Sequence, residues 1–175
     1  MVNQKKLKNI IIAANVAGAG KSTMAKYLVS KYKYHEITFA APIKMIAKAI
    51  FDMNEKDRYL LQQIGQKMRE IDPDVWVKYV ERQLPNFNLI VISDARQENE
   101  LEMAIQHNFI PVRVVCNRNE AIRRLIKRDG YCDTTKLDGP AEDGIRKEKM
   151  PQIYNNASFK EFYKEIDSFI QSISI

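Results

Sequence analysis

Cysteine and histidine are nearly absent from this chain, with two of each in 175 residues. Cys116 and Cys132 cannot build a disulfide framework or a four-thiolate zinc site, and His35 and His107 add no ligand-like spacing to them. A reducing, cytoplasmic setting is the simplest one for such a chain. Long apolar runs are missing too: no stretch approaches the roughly 18 apolar residues of a membrane span, so no membrane partner is expected. The basic start, MVNQKKLKN, leads into an apolar run that stops at Asn15 in a glycine-rich turn rather than a cleavage site, so no targeting signal is read. Neither an internal repeat nor a low-complexity tract is found, which excludes solenoids and long linkers.

What is present describes one ordinary domain spanning residues 1–175. Hydrophobic residues make up 45% and charged ones 29%, which excludes a disordered or collagen-like chain. A chain of this length buries roughly 70% of its unfolded surface and needs no metal or disulfide to hold it. Lys and Arg exceed Asp and Glu by 28 − 22 = 6, and the surplus is uneven. Nine Lys or Arg face the single Glu36 in the first 48 residues, a local charge of 9 − 1 = +8. Anionic partners follow from this, without a choice between nucleotide and nucleic acid. No aromatic-interleaved basic motif accompanies the lysines, so nucleic acid is not the expected partner.

Three runs are apolar on both faces, as buried parallel strands require: Asn9–Ala14, Asn88–Ser93 and Phe109–Cys116. Helical patterns lie between them. Lys21–Lys31 places Met24, Ala25, Leu28 and Val29 on one face, and Ala41–Phe51 places Ile43, Ile46, Ala47 and Ile50 likewise. A helix is expected from about Glu55 to Arg69 and another with Pro73 in its first turn. Gln97–His107 should close at Asn108 in a left-handed conformation, and a final helix should open on the capping box of Ser158 and Glu161 and run to about Gln171. Strands alternating with helices imply an α/β fold: a three-layer open parallel sheet with helices on both faces. Asp129–Met150, with three glycines, is too long for an ordinary connection and has the length of a lid.

Between the first strand and first helix lies NVAGAGKST, Asn15–Thr23. The phosphate-binding P-loop pattern is Gly, four residues, then Gly-Lys-Ser/Thr; here Gly20, Lys21 and Ser22 match and Asn15 stands at the leading glycine. Asn is the non-glycine residue best able to take positive φ, so the turn is expected to survive the change. Gly18 and Gly20 let the backbone wrap its N–H groups around phosphates, and Asn15, Ala17, Gly18, Ala19, Gly20, Lys21, Ser22 and Thr23 are together the candidate ATP-binding residues. Lys21 would reach the β- and γ-phosphates of ATP and the Ser22 hydroxyl would hold Mg²⁺. The plain alternative is a glycine-rich strand-to-helix turn that binds nothing.

Further segments resemble the phage-type deoxynucleoside monophosphate kinases. They are FAAPIK at 39–44, RYLLQQIGQKMREIDPDVWVKY at 58–79, VISDARQENELEMAIQHNFIPVRVV at 91–115 and NNASFKEFYKEIDSFI at 155–170. With the P-loop they cover most of the chain in the family's order. The resemblance implies transfer of the ATP γ-phosphoryl group to a deoxynucleoside 5′-monophosphate on the nucleoside monophosphate kinase fold, with an acceptor-binding helical region at about 41–84 and a mobile lid at about 117–150. A His-x-Ser-Glu pattern common in relatives is missing from the lid, where 137–146 reads LDGPAEDGIR.

Asp94, just past a strand, should emerge at the carboxyl edge beside the P-loop, where it could hold a Mg²⁺ water or order the acceptor phosphate; otherwise it caps the helix from Gln97. Arg96 and Arg58 are the candidate phosphate clamps, since a guanidinium fork matches phosphate bidentately, although an arginine is more commonly a solvated surface residue. Gln62, one turn after Arg58, could read a base edge or cap a carbonyl. Trp76, the single tryptophan, is either a wall of the base pocket, as the resemblance suggests, or core. Arg118, Arg123, Arg124 and Arg128 crowd the helix before the long loop, whose apolar face is Ile122, Leu125 and Ile126; Arg124 and Arg128 are the candidates for closing on the transferred group. Cys132 reads as an exposed thiol without a role. A P-loop kinase for another small metabolite and a non-catalytic nucleotide-binding P-loop protein are the competing functions, and a homodimer is left open.

Overall fold

The computed structural model describes residues 7–134 and 150–174. Five strands form one sheet: β1 Ile10–Ala14, β2 His35–Ile37, β3 Ile90–Ile92, β4 Ile110–Val115 and β5 Gln152–Tyr154. Their order is β2-β3-β1-β4-β5 and every neighbouring pair is parallel, with Ile10 in register with Val91 on one side and Ile110 on the other. The apolar runs alone mark β1, β3 and β4. The two edge strands have three residues and a single buried position each, Ile37 and Ile153, too short for periodicity to register.

Among the described residues seven α-helices cover the sheet: α1 Lys21–Tyr32, α2 Ala40–Phe51, α3 Arg58–Ile71, α4 Val75–Glu81, α5 Glu98–Gln106, α6 Arg118–Asp129 and α7 Phe159–Ile173. Alternation along β1 divides the core. Ile10, Ile12 and Ala14 pack with Met24 and Leu28 of α1, Leu125 of α6, and Phe162 and Ile166 of α7. Ile11 and Ala13 point the other way, toward Trp76 and Val80 of α4 and Leu101 and Ala104 of α5. These are the three layers expected of alternating strands and helices.

Several boundaries and faces differ from the sequence reading, each for a local reason. α3 starts at Arg58 rather than Glu55 because Asp57, in extended backbone, accepts the Leu60 N–H. Pro73 lies ahead of α4 instead of in its first turn, and α7 continues to Ile173. Val29, Ile50 and Ile126, which helical spacing puts on apolar faces, are 37%, 71% and 49% exposed. Each sits at the margin of its stripe, where the buried places go to Leu28, Ala47 and Leu125. The proposed closing conformation at Asn108 is present, with φ 61°.

Candidate functional site

In a parallel sheet every strand delivers its following residue to one edge, so Asn15, Asp94, Asn117 and Asn155 all emerge together. Residues 15–20 form a tight loop there. Gly18 and Gly20 have φ of 86° and 115°, a conformation that favours glycine. Space forbids a side chain as well. A Cβ on Gly18 would lie 3.0 Å from the Ala121 carbonyl and from Leu125, and one on Gly20 would lie 2.3 Å from the Asn155 amide. Ala19 N–H turns back to the Val16 carbonyl at 3.2 Å. Gly20 caps α1 without a side-chain acceptor, and the first turn, Lys21-Ser22-Thr23, contains no acid. Its N–H groups and dipole therefore meet no acid from the helix's own first turn.

Asn15 keeps its place in the loop for a different reason from the one its residue type suggests. It is not among the residues with positive φ. Its carboxamide instead brackets Cys116: Nδ2 donates to the Cys116 carbonyl and Oδ1 accepts the Cys116 N–H, both at 3.0 Å. With Asn15 N–H on the Val114 carbonyl at 3.3 Å, the side chain extends the β1–β4 ladder past its last backbone pair.

Asp94 is placed at the carboxyl edge of β3 as expected, but it does not cap α5. Its two carboxylate oxygens accept the N–H groups of Phe39 and Ala40, 2.9 Å each, and so secure the start of α2. Burial pushes its carboxyl up from the ordinary value; the two backbone donors, then the charges of Arg96 and Lys21, pull against that rise. Asp94 is thus near both the P-loop lysine and Arg96. The cap of α5 is supplied by Gln97 with Glu100, a buried carboxylate that also accepts the Arg96 N–H at 2.7 Å and, more loosely, Arg69 at 3.4 Å. Glu100 fixes the backbone that carries Arg96, while the Arg96 side chain is exposed.

Arg58 begins α3 and Arg128 nearly ends α6, yet they meet on one carboxylate. Asp129 Oδ2 accepts from Arg58 at 2.5 Å and from Arg128 at 2.7 Å, and Oδ1 takes a second bond from Arg128 at 2.8 Å. The Arg128 hydrogen bond, with Arg58 behind it, holds the Asp129 carboxyl far below the usual range. Lys56 is also in this group: desolvation lowers its ammonium first, and repulsion from Arg58, Arg128 and Lys44 adds to the fall. Gln62 is exposed on α3. Trp76 does not line an open pocket. It is 3% exposed, sits in the core under α3 and donates Nε1–H to the Gly65 carbonyl at 3.1 Å.

Arg124 is anchored rather than extended: Nε donates to Glu120 at 2.8 Å, and its Nη atoms lie on Cys116 Sγ at 3.6 Å and Asn155 Oδ1 at 3.4 Å. Arg123 forks onto the same Glu120 and is otherwise solvated. Arg118 reaches the Thr134 carbonyl at 3.1 Å. Cys132 is half-buried against the α1 side of the core rather than exposed, and burial pushes the Cys116 thiol up. Of the lid expected at about 117–150, residues 135–149 lie outside the described residues, including the LDGPAEDGIR stretch. Among the described residues no group of three or more His, Cys, Asp or Glu could hold a metal, and no helix is long and apolar enough to cross a membrane.

Sequence reasoning missed Lys56, Asp129, Glu100 and Asn155. Glu100 had a signal, three residues after Gln97 at a helix start. Asp129 and Asn155 also make contacts 71 and 136 positions away, with Arg58 and Ala19, that belong to no local pattern, and Lys56 joins the same group as Asp129 only in the fold.

Comparison with known proteins shows a family and a fold. The family model described as AAA domain, AAA_18, matches residues 10–150. A protein of Acanthamoeba polyphaga mimivirus, provisionally named deoxynucleotide monophosphate kinase, is 27% identical, the match covering 90% of this chain and 93% of that one. TT1252 from Thermus thermophilus superposes with a TM-score of 0.63 at 18% identity, over 96% of this chain and 99% of that chain. Shikimate kinase from Acinetobacter baumannii, solved with shikimate, gives 0.58 at 16% identity, over 97% of this chain and 94% of that one. A gluconokinase from Sinorhizobium meliloti 1021 gives 0.57 at 13% identity, over 97% of each chain. At these identities the solved structures show a shared fold.

Proposed function

Because this chain belongs to the AAA domain family and shares its fold with solved kinases, we propose that it transfers the γ-phosphoryl group of ATP to a deoxynucleoside 5′-monophosphate. The observation that carries this reading is two sets of cations: Lys21 on the phosphate-binding turn for one anion, and for the other Arg58, which converges with Arg128 on Asp129, joined by Arg96, which shares the field of Asp94 with Lys21. An enzyme that moves a phosphoryl group from one phosphate-bearing nucleotide to another, releasing ADP, needs two anion seats. The deoxynucleotide itself is supported by the sequence resemblance and by the name of the mimivirus relative.

Phosphoryl transfer asks a protein chiefly to position and to balance charge. The loop N–H groups and Lys21 hold the ATP phosphates. Arg96, on a backbone fixed by Glu100, grips the acceptor phosphate, and Arg58 approaches it from α3. Arg124 and Arg128 supply positive charge from α6. Asp94 is kept rigid by its two backbone donors, so it presents a fixed carboxylate beside Lys21. The donor set suits Mg²⁺: an exposed Ser22 hydroxyl and the Asp94 carboxylate offer one or two oxygens, as this ion prefers when phosphates and waters complete its shell. When bound, it neutralises charge developing on the phosphates. The acceptor's base is not assigned to Trp76, whose ring is covered.

ATP consumption measured across deoxy- and ribonucleoside monophosphates, with gluconate and shikimate as comparison acceptors, tests the reading. We expect turnover with at least one deoxynucleoside monophosphate, its loss in excess EDTA and its return with Mg²⁺. Lys21→Ala should lower turnover by at least about a hundredfold while the protein stays folded. Turnover confined to a hydroxylated acid would make the protein a metabolite kinase, and ATP binding without any turnover would make it a binding protein.

A further inference from the structure

Asn155, the first residue past β5, is 2% exposed and reaches back across the sheet edge to the phosphate-binding loop. Its Nδ2 donates to the Ala19 carbonyl at 2.7 Å, its Oδ1 faces Arg124 at 3.4 Å, and its own N–H is held by the Val115 carbonyl at 2.8 Å. The amide lies so close to Gly20 that any Cβ there would overlap it. Asn156 is tied down as well, its Oδ1 accepting the Asn117 N–H ahead of α6 at 2.7 Å.

The direction of the Ala19 carbonyl decides what the loop can bind. A phosphate cradle needs its N–H groups turned inward and its carbonyls turned away. In a planar trans peptide the C=O and the following N–H point to opposite sides, and the described residues contain no cis bond. A donor that captures the Ala19 carbonyl therefore fixes the Gly20 N–H on the opposite side, where an anion is to be held. A buried carbonyl left without a donor would favour rotation of that peptide.

We infer that Asn155 is a positioning residue for the phosphate-binding loop: its carboxamide locks the Ala19–Gly20 peptide in the orientation that binds phosphate and couples it to Arg124. The inference rests on the proposed ATP-dependent reading and deepens it, because it assigns the ATP side a determinant outside the P-loop pattern.

Asn155→Asp and Asn155→Ala separate the two contacts. Aspartate keeps the shape and strengthens the pairing with Arg124, but it cannot donate to the Ala19 carbonyl; alanine loses both. Titration with a fluorescent ATP analogue should give a dissociation constant raised about tenfold in both variants, with the acceptor Michaelis constant unchanged. Asn155→Ser, which retains a hydroxyl donor, should recover part of the affinity. Wild-type affinity in the aspartate variant would overturn the inference, as would equal losses toward ATP and acceptor. Should the variants fail to fold, the wild-type protein decides: the Asn155 side-chain amide protons should exchange slowly with solvent and more slowly still with the ATP analogue bound. Exchange at the rate of a free carboxamide would refute the contact. Absence of ATP binding by the wild type would instead defeat the functional reading, while slow exchange would still report the lock.

Discussion

Trp76 is 3% exposed, with its single N–H on the Gly65 carbonyl, which Arg69 also approaches at 3.4 Å. Residue type leaves an aromatic ring equally suited to stacking on a base and to filling a core; only the position of α3 over α4 resolves it. Trp76→Phe keeps most of the apolar volume and removes one buried hydrogen bond, so it should cost about 1–3 kcal/mol of stability in chemical denaturation. Acceptor preference should not change from base to base. A base-dependent loss without destabilisation would return the ring to the pocket. Asn15 gives the same lesson in another form. Its tolerance of positive φ is a true property of asparagine that this turn does not use, and what it does use, a two-point bridge to a residue 101 positions away, leaves no trace in local spacing.

Among the elements, those with a chemical start or stop signal were legible. The Ser158–Glu161 box opens α7, and Asn108 closes the turn after α5, whose extent was read although its cap of Gln97 with Glu100 was not. The P-loop was legible for the same reason, since its glycines answer local steric demands. α6 was legible as a helix, but the partners of its arginines were not, because one helix face offers several. Glu120 takes two of them: the Arg123 hydrogen bonds, followed by the one from Arg124, bring its carboxyl down to about 2 against the opposing effect of desolvation. A folded value below the ordinary 4.5 means that the favourable contribution is present above that pH and disappears as the pH falls toward 2. Carboxyl carbon NMR should place the Glu120 midpoint near 2, and Arg124→Ala should move it upward. A midpoint at the ordinary carboxylate value would mean that the Glu120 cluster does not persist in solution.

At the scale of the whole molecule, the sheet brings loops from all five strands to one edge, and long-range pairs then decide how the two cationic groups are held. Their membership could not be read from the sequence: Arg58 and Asp129 are 71 positions apart. Asp129 has a double consequence for the proposed reaction. Its carboxylate stands where Arg58 and Arg128 both direct their donors, so an acceptor phosphate must displace it or share the arginines with it. Exposure at these side chains is 64% for Arg58 and 59% for Arg128, which makes the pairing weak enough to exchange, since exposed ion pairs contribute only about 0–1 kcal/mol. Asp129→Asn removes the competing charge while keeping the shape. It should lower the Michaelis constant for the acceptor about two- to fivefold at low salt, leave that for ATP unchanged, and lose its advantage as added salt screens the arginines. Steady-state kinetics at two ionic strengths measures this directly. A raised acceptor constant would mean that Asp129 holds the two arginines in the spacing the phosphate needs, because releasing them would then cost more in disorder than the removed repulsion returns.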